Sequence, residues 1–173
     1  MDAKLGTPGA LDNGTGIVTL LLVAELLKDY AGDKCIEIVA LNGEDYYSNP
    51  GEQLYLRQNE GKFQDILLGI NIDGLGYIKG KTAYSLYECP PEMKKRIEQV
   101  FAEVEVFIAG EPWFQGDHAL FLMNQRPALA LTSELVYELM TEFVHTDRDT
   151  PEITDSEKVA GTALRLHELI TGL

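Results

Sequence analysis

Residues 66–72 read Ile-Leu-Leu-Gly-Ile-Asn-Ile, and Asp73 and Gly74 follow directly. This nearly continuous apolar run is typical of a strand that is buried on both faces, as in a parallel sheet. Gly74 marks the bend that ends the strand. An acidic residue therefore stands at the carboxyl end of a predicted buried strand, which is where open α/β sheets bind their ligands.

Strands and helices alternate along the rest of the chain. Further strands are predicted over 35–41, 82–87, 104–109 and 127–132, and helices over 17–29, 52–59, 90–103 and 155–171. Apolar residues cover nearly the whole circumference of the helix at 17–29, which predicts a helix buried on all sides. The alternation predicts an α/β fold, a three-layer sandwich with a mostly parallel mixed sheet, in a single domain over residues 1–173.

The composition limits the classes of partner. The net charge is −14, which argues against nucleic acid and anionic membrane surfaces as partners. No apolar run reaches the roughly 20 residues of a membrane span, and no signal peptide is recognised at the start of the chain. Cys35 and Cys89 stand alone, which predicts two buried, reduced thiols and a cytoplasmic location.

Acidic residues stand at the ends of several apolar runs, and one histidine stands in a polar segment. They are Asp12 before the first helix, the pair Glu44-Asp45, Asp73, and His145 in a polar segment. Each alone has an ordinary explanation, such as a turn former, a helix cap or a surface side chain. Together they are carboxylates and an imidazole at the ends of different elements, which is the ligand set of a divalent metal site.

Asp12, Asp45 and His145 would offer two oxygens and one nitrogen to a cation, and catalytic zinc sites use three protein ligands of this kind. Asp73 could join Asp12 on a second ion and so form a two-metal hydrolytic site. Glu44 is adjacent to a ligand and is placed to take a proton from water activated by the metal. Cobalt and manganese remain alternatives to zinc, because mixed oxygen and nitrogen ligation suits several metals.

At these residues the chain resembles the M28 family of zinc peptidases, the aminopeptidase group. The matching stretches occur in the family's order and are residues 8–16, 42–45, 71–74, 116–118 with Phe121, and 144–146 leading to 149–152. The resemblance implies the fold of the zinc-dependent exopeptidases, one or two zinc ions, and a peptide substrate. It implies that Asp12 bridges two ions, that Asp45 and His145 complete one, and that Asp73 serves the other.

The resemblance also assigns further roles and shows departures. Glu44 would be the general base and then the proton donor to the leaving amine, while Asp117 and His118 would lie beside the ligands or line the substrate pocket. The family's His-x-Asp motif is represented only by Asp2, so its histidine would lie one residue upstream of Met1, and the family's first strands are missing. We therefore expect an N-terminally truncated domain. Gly116 stands where the family commonly has serine.

The sequence is compatible with three functions. The first is an aminopeptidase that removes N-terminal residues from peptides, impaired to some degree by the truncation. The second is an acyltransferase that resembles the single-zinc glutaminyl cyclases. The third is a catalytically inactive metal-binding domain. Exposed apolar surface left by the missing strands would favour a homo-oligomer.

Overall fold

The computed structural model describes residues 3–44, 46 and 49–173. Its helices are α1 (Thr15–Leu26), α2 (Pro50–Gln58), α3 (Pro91–Phe101), α4 (Ala119–Met123), α5 (Val136–Glu142) and α6 (Ser156–Thr171). Its strands are β1 (Gly69–Ile72), β2 (Thr82–Tyr87), β3 (Phe107–Ala109) and β4 (Ala128–Ser133). A wide helical turn at Ala10–Gly14 precedes α1, and short 3-10 turns lie at Phe63–Asp65 and Pro151–Ile153.

The strands form one mixed sheet in the order β1-β4-β2-β3. β1 pairs with β4 in parallel, β2 pairs with β3 in parallel, and β2 runs antiparallel to β4. β4 is central and buried along its whole length, because its alternate residues face the two sides of the sheet. The sequence-based prediction of a mostly parallel mixed α/β sheet is confirmed.

Helices cover both faces of this sheet and so make three layers. On one face, Leu129 and Leu131 of β4 pack in a large cluster with residues of α1, α3 and α6. On the other, Ala128 and Ala130 pack near Phe121 of α4. The helix α6 begins where the sequence predicts, because the Asp155 side chain accepts hydrogen bonds from the first backbone N–H groups of the helix.

The strand predicted at Cys35–Leu41 is wrong. These residues form no strand, and no backbone–backbone hydrogen bond joins them to any other described residue. Their β-branched composition favours a strand, but a strand forms only beside a partner, and the described residues offer none to this segment. The expectation of a buried thiol at Cys35 also fails, because Cys35 is exposed, whereas Cys89 is half-buried.

The composition of α1 predicts a helix that is buried on all sides, and this prediction is wrong. The helix packs against α6, yet Val18 is 48% exposed and Leu21 is 66% exposed. An apolar face of this helix is therefore uncovered by the described residues. None of the helices in the described part of the chain has the length and hydropathy that a membrane crossing requires.

A largely buried lysine connects α6 to the loop that follows the carboxyl end of β1. Lys158 Nζ lies 2.6 Å from the carbonyl oxygen of Tyr77, 3.1 Å from that of Ile78 and 2.9 Å from that of Gly80. Its side chain is only 11% exposed. The ammonium therefore donates to three carbonyl groups of one loop, and it stabilises the loop at residues 77–80.

Replacing this lysine should destabilise the fold. We expect Lys158→Met to lower the free energy of unfolding by about 1–2 kcal/mol, because the variant keeps the aliphatic volume but loses the hydrogen bonds from the ammonium to the carbonyl groups. Urea denaturation followed by circular dichroism measures the change. Lys94→Met is the matched control, since Lys94 is exposed and pairs only loosely with Glu98, one turn further along α3, and it should change little. Equal effects of the two substitutions would contradict the role of Lys158.

Candidate active site

Asp12 lies in a turn whose backbone is held by a distant carboxylate. The Asp149 side chain accepts hydrogen bonds from the backbone N–H groups of Leu11, at 2.7 Å, and Asp12, at 3.1 Å. Asp149 is 1% exposed, so both bonds are shielded from water. Gly9 enters the turn with a φ of +62°, and a Cβ there would lie 2.8 Å from the Asp12 carbonyl oxygen. The turn thus requires this glycine and this acid.

The next residue ties the same turn to the end of β1. Asn13 Nδ2 donates to the Ile72 carbonyl oxygen at 2.8 Å, and Asn13 Oδ1 accepts from the Gly16 backbone N–H at 3.0 Å. The peptide bond between Asp12 and Asn13 is cis. Asp73 directly follows Ile72. These contacts place Asp12 beside the carboxyl end of β1, as ligand sites in open α/β sheets require.

His145 comes to the same place from the end of α5. Its Nε2 lies 3.1 Å from Asp12 Oδ2, although the two residues are far apart in sequence. Its backbone has a φ of +62°, a conformation that side chains other than glycine rarely adopt. A strained backbone at a residue that faces an acid in a cleft is a common feature of functional sites.

Two adjoining clefts share the acidic residues Asp12, Glu44 and Asp73. Asp117 lines the first cleft and His145 lines the second. The second cleft also has an apolar wall, formed by Trp113, Val136, Leu139, Met140 and Val144. The structure therefore brings Asp12, Glu44, Asp73 and His145 around one region, next to a surface that suits an apolar side chain.

The donor set fits a divalent cation in part. Among residues 3–44, 46 and 49–173, no three His, Cys, Asp or Glu side chains are grouped as a complete set of metal ligands. Asp12 and His145 form a close oxygen–nitrogen pair, as two ligands of one zinc ion would. Asp45, the predicted third ligand, lies outside the described residues, and so does Asp2. Asp45 adjoins Glu44, which lines both clefts.

Asp117 is held in its neutral form by its surroundings. Burial raises the pKa of its carboxyl group to about 8, and a hydrogen bond with Glu52 and the charges of Glu44 and Asp73 act in the same direction. Its Oδ1 has no hydrogen-bond partner among the described residues. A carboxylic acid that is neutral near pH 7 can donate a hydrogen bond into the cleft.

This pKa predicts how stability depends on pH. The folded protein binds a proton at Asp117 up to about pH 8, whereas the unfolded chain releases it near the ordinary value of 3.8. Stability of the metal-free protein should therefore fall as the pH rises from about 4 to about 8. Asp117→Asn should remove this loss, which amounts to a few kcal/mol because a tenfold change in proton affinity equals about 1.4 kcal/mol.

Urea denaturation at the two ends of this pH range tests the prediction. Wild type and Asp117→Asn should differ little near pH 4, and the variant should be the more stable protein near pH 9. Asp65→Asn serves as the control, because Asp65 is exposed and should show no such crossover. A constant difference between wild type and Asp117→Asn at all pH values would contradict the raised pKa.

His118 lies behind the clefts rather than in them. It is fully buried, and its ring packs against Tyr87 and Trp113 with centroids 4.9 Å and 4.5 Å away. Its Nε2 lies 2.7 Å from the Trp113 carbonyl oxygen, and Nδ1 lies 3.3 Å from Asn71 Nδ2. Nδ1 is then the acceptor and Nε2 carries the proton, and burial lowers the pKa of the ring. His118 supports the Trp113 wall as a neutral side chain.

Residue 116, directly before Asp117 and His118, is glycine for a steric reason. Its φ is +142°, and a Cβ there would lie 2.9 Å from the Trp113 ring. A serine would force the Trp113 ring away from its contact with His118. The departure from the serine that is common in the M28 family therefore follows from the position of Trp113 in this chain.

A model of peptidase family M28 matches residues 1–170 of the chain. The chain belongs to peptidase family M28. No curated protein matches this M28 chain significantly in sequence. The family membership confirms the resemblance on which Asp12, Glu44, Asp45, Asp73 and His145 were chosen, while the role of each residue stays a prediction.

Solved structures with the same fold include two aminopeptidases. BSAP, a zinc aminopeptidase from Bacillus subtilis, aligns with a TM-score of 0.80 and 18% identity, over 99% of this chain and 43% of that chain. An aminopeptidase from Aneurinibacillus sp. strain AM-1 aligns with a TM-score of 0.78 and 17% identity, over 98% and 40%. This M28 chain thus spans less than half the length of either aminopeptidase.

A third related structure is a glutaminyl cyclase from Porphyromonas gingivalis. It aligns with a TM-score of 0.77 and 21% identity, over 96% of this chain and 67% of that chain. The TM-scores of the three structures show a common fold, and identities this low do not distinguish peptidase from cyclase chemistry. The fold predicted from the resemblance is confirmed.

Two site residues escaped the sequence-based prediction. Asp149 lies only four positions after His145, but nothing in the sequence shows that its carboxylate reaches back to the Asp12 turn. Glu52 stands in α2 and looks like an ordinary helix-surface acid, yet it shares a hydrogen bond with Asp117. Both contacts join segments that are distant in sequence, so only the fold reveals them.

Proposed function

We propose that this chain is the catalytic part of a metal-dependent aminopeptidase-type hydrolase, with residues 1–173 as a single, partial domain. The observation that carries the proposal is the convergence of Asp12, Glu44, Asp73 and His145 on adjoining clefts at the carboxyl end of β1. Family membership supports the same reaction class. The substrate would be a peptide with a free N-terminus.

Asp12, Asp45 and His145 would hold one zinc ion, and Asp73 with Asp12 would hold a second. The close Asp12–His145 pair supports the first of these sites. Bound zinc would polarise the scissile carbonyl and lower the pKa of water in the cleft. Cobalt or manganese could replace zinc, because carboxylate and imidazole ligands accept these metals as well.

Glu44 carries the proton transfers in this proposal. As a carboxylate it takes a proton from the attacking water while the water oxygen bonds to the scissile carbonyl carbon. When the carbon–nitrogen bond breaks, Glu44 returns that proton to the leaving amine and is a carboxylate again. Asp149 takes no part in the proton transfers. It fixes the backbone of the Asp12 turn through two hydrogen bonds.

The surroundings of these residues suit an N-terminal peptide end. The net charge of −14 on the chain attracts a cationic peptide end. The apolar wall with Trp113 and Met140 would receive the first side chain of the peptide. We therefore propose a preference for large apolar N-terminal residues.

Leucine p-nitroanilide hydrolysis by the purified chain tests the function. Activity should appear with zinc, disappear with a chelator, and return when zinc is added. Ammonia release from a Gln-initiated peptide, without anilide hydrolysis, would instead favour cyclase chemistry, the second function that the fold allows. Zinc binding without either reaction would leave a catalytically inactive metal-binding domain.

A cytoplasmic location and self-association remain predictions. The exposed apolar residues of α1 support association with other polypeptide. Light scattering of the purified chain over a range of concentrations measures whether the partner is a second copy.

A further inference from the structure

Two segments of the candidate active site meet at Tyr46. Its backbone N–H donates to the Gly43 carbonyl oxygen at 3.1 Å, so Tyr46 closes a turn that contains Glu44. Its hydroxyl oxygen accepts a hydrogen bond from the Leu5 backbone N–H at 2.9 Å, and the Lys4 ammonium lies 5.0 Å from the centre of its ring. Tyr46 thus links the turn that carries the proposed base to the beginning of the described chain.

The N-terminal arm, residues 3–7, lies against the turn that carries Asp12. The Lys4 carbonyl oxygen accepts from the backbone N–H of Thr7 at 3.0 Å and from its hydroxyl at 2.7 Å, which folds the arm into a turn of its own. A Cβ at Gly9, where the chain enters the Asp12 turn, would overlap the side chain of the first residue of the arm. A group that binds the arm is therefore held at a defined distance from Asp12.

The chain is also closed on the other side of Glu44. The Gly51 backbone N–H donates to the Asn42 carbonyl oxygen at 3.0 Å, and a Cβ at Gly51 would lie 2.6 Å from both the nitrogen and the oxygen of Asn42. This close approach of two backbones leaves no room for adjustment. Glu44 lies between this fixed contact and Tyr46, so its backbone is held from both directions.

The carbonyl group of Tyr46 extends the same network to the first cleft. It accepts from the Asn49 backbone N–H at 2.8 Å, and the Asn49 side chain donates to the Glu52 carboxylate at 2.9 Å. Glu52 in turn shares a hydrogen bond with Asp117, which lines the cleft. The backbone and side chain of Tyr46 therefore connect the Glu44 turn, the N-terminal arm and the start of α2.

These contacts suit the positioning of a base better than the stabilisation of the fold. The Leu5 side chain is 90% exposed and Tyr46 is 39% exposed, so their contact buries little apolar surface and water can replace its hydrogen bond. A general base, however, must lie within hydrogen-bond reach of the water that it deprotonates. A displacement of about 1 Å at such a site can lower the rate about 100-fold.

We propose that Tyr46 is a positioning residue for Glu44, and that its contacts with Lys4 and Leu5, the Tyr46 clasp, set the distance between the proposed base and the Asp12 turn. The inference rests on the proposed role of Glu44. Tyr46 takes no part in the proton transfers and acts through the backbone of the Glu44 turn. Its hydroxyl group is essential to the clasp, because the Leu5 N–H needs an acceptor and a phenylalanine ring offers none.

Hydrogen exchange tests the clasp on the purified chain without metal or substrate. In Tyr46→Phe the Leu5 amide should exchange at least about tenfold faster, because it loses its acceptor. The amide of residue 46 should also exchange faster, while the Gly51 amide should stay within about twofold of wild type. Tyr30→Phe is the matched control, since it removes the hydroxyl of a half-buried tyrosine that packs against the large core cluster, and it should leave all three rates unchanged.

Kinetics test the effect of the clasp on the proposed base. With leucine p-nitroanilide and the zinc-loaded chain, Tyr46→Phe should lower kcat about tenfold and leave KM within about twofold, whereas Tyr30→Phe should match wild type. In a Glu44→Gln background, Tyr46→Phe should change kcat by less than about twofold, because no base is left to position. A variant that is only less folded would lose the same factor in both backgrounds.

Several outcomes would overturn the proposal. An unchanged Leu5 exchange rate in Tyr46→Phe would show that the clasp does not form. Faster exchange with wild-type kcat, or an equal loss of kcat in the two backgrounds, would show that the clasp does not position Glu44. If the zinc-loaded wild type is inert, the proposed function fails, and exchange at the amide of residue 46 then decides whether the clasp holds the Glu44 turn.

Discussion

Glu44→Gln should lower the turnover of leucine p-nitroanilide by the zinc-loaded chain about 10³-fold, the middle of the range for loss of a general base. Glutamine has nearly the same shape as glutamate but does not accept a proton at neutral pH. Glu44 lines both clefts together with Asp12 and Asp73, the region in which the proposed reaction takes place. The expected change is in kcat, with KM nearly constant, because substrate binding does not need the base.

A matched control and a metal assay separate this role from a structural one. Glu142→Gln changes an exposed glutamate that pairs with Arg148, and it should keep full activity. Zinc content, measured after dialysis, should be the same in wild type and Glu44→Gln, because Glu44 is not a proposed ligand. A Glu44→Gln protein that binds zinc and retains wild-type turnover would exclude Glu44 as the base.

Local sequence patterns predict most of the helices and strands of this M28 chain. The burial of β1 and β4 follows from their apolar runs, and the cap of α6 follows from Asp155. These features depend on neighbouring residues, so periodicity and capping rules are enough to find them. The prediction at residues 35–41 fails because pairing depends on a neighbour that no local pattern supplies.

The same distinction between local patterns and long-range contacts applies to the residues of the candidate site. Asp12, Glu44, Asp73 and His145 could be chosen from the sequence because their chemical types agree and because they match the motifs of one family. Asp149 could not be chosen in this way, since its role is to accept hydrogen bonds from backbone groups of a turn near the other end of the chain. Ligand types are visible in a sequence, whereas the groups that orient ligands are found through long-range contacts.

Asp149→Asn should weaken both the fold and zinc binding. The asparagine side chain keeps one oxygen but replaces the other with an NH₂ group, which cannot accept the hydrogen bond from Leu11 or Asp12. One buried N–H group then lacks an acceptor, and we expect the free energy of unfolding to fall by about 2–3 kcal/mol. Because Asp12 loses part of its backbone support, zinc affinity should fall about 10–100-fold, as is typical when a group that orients a ligand is changed.

Urea denaturation and competition for zinc with a chelating dye measure the two effects separately. Asp147→Asn is the control, because Asp147 is exposed in the same loop and the substitution removes the same charge. The control should leave both quantities unchanged, which would show that the effect of Asp149→Asn does not come from net charge. If Asp149→Asn destabilises the fold but binds zinc as tightly as wild type, then Asp149 supports the turn without positioning Asp12 for the metal.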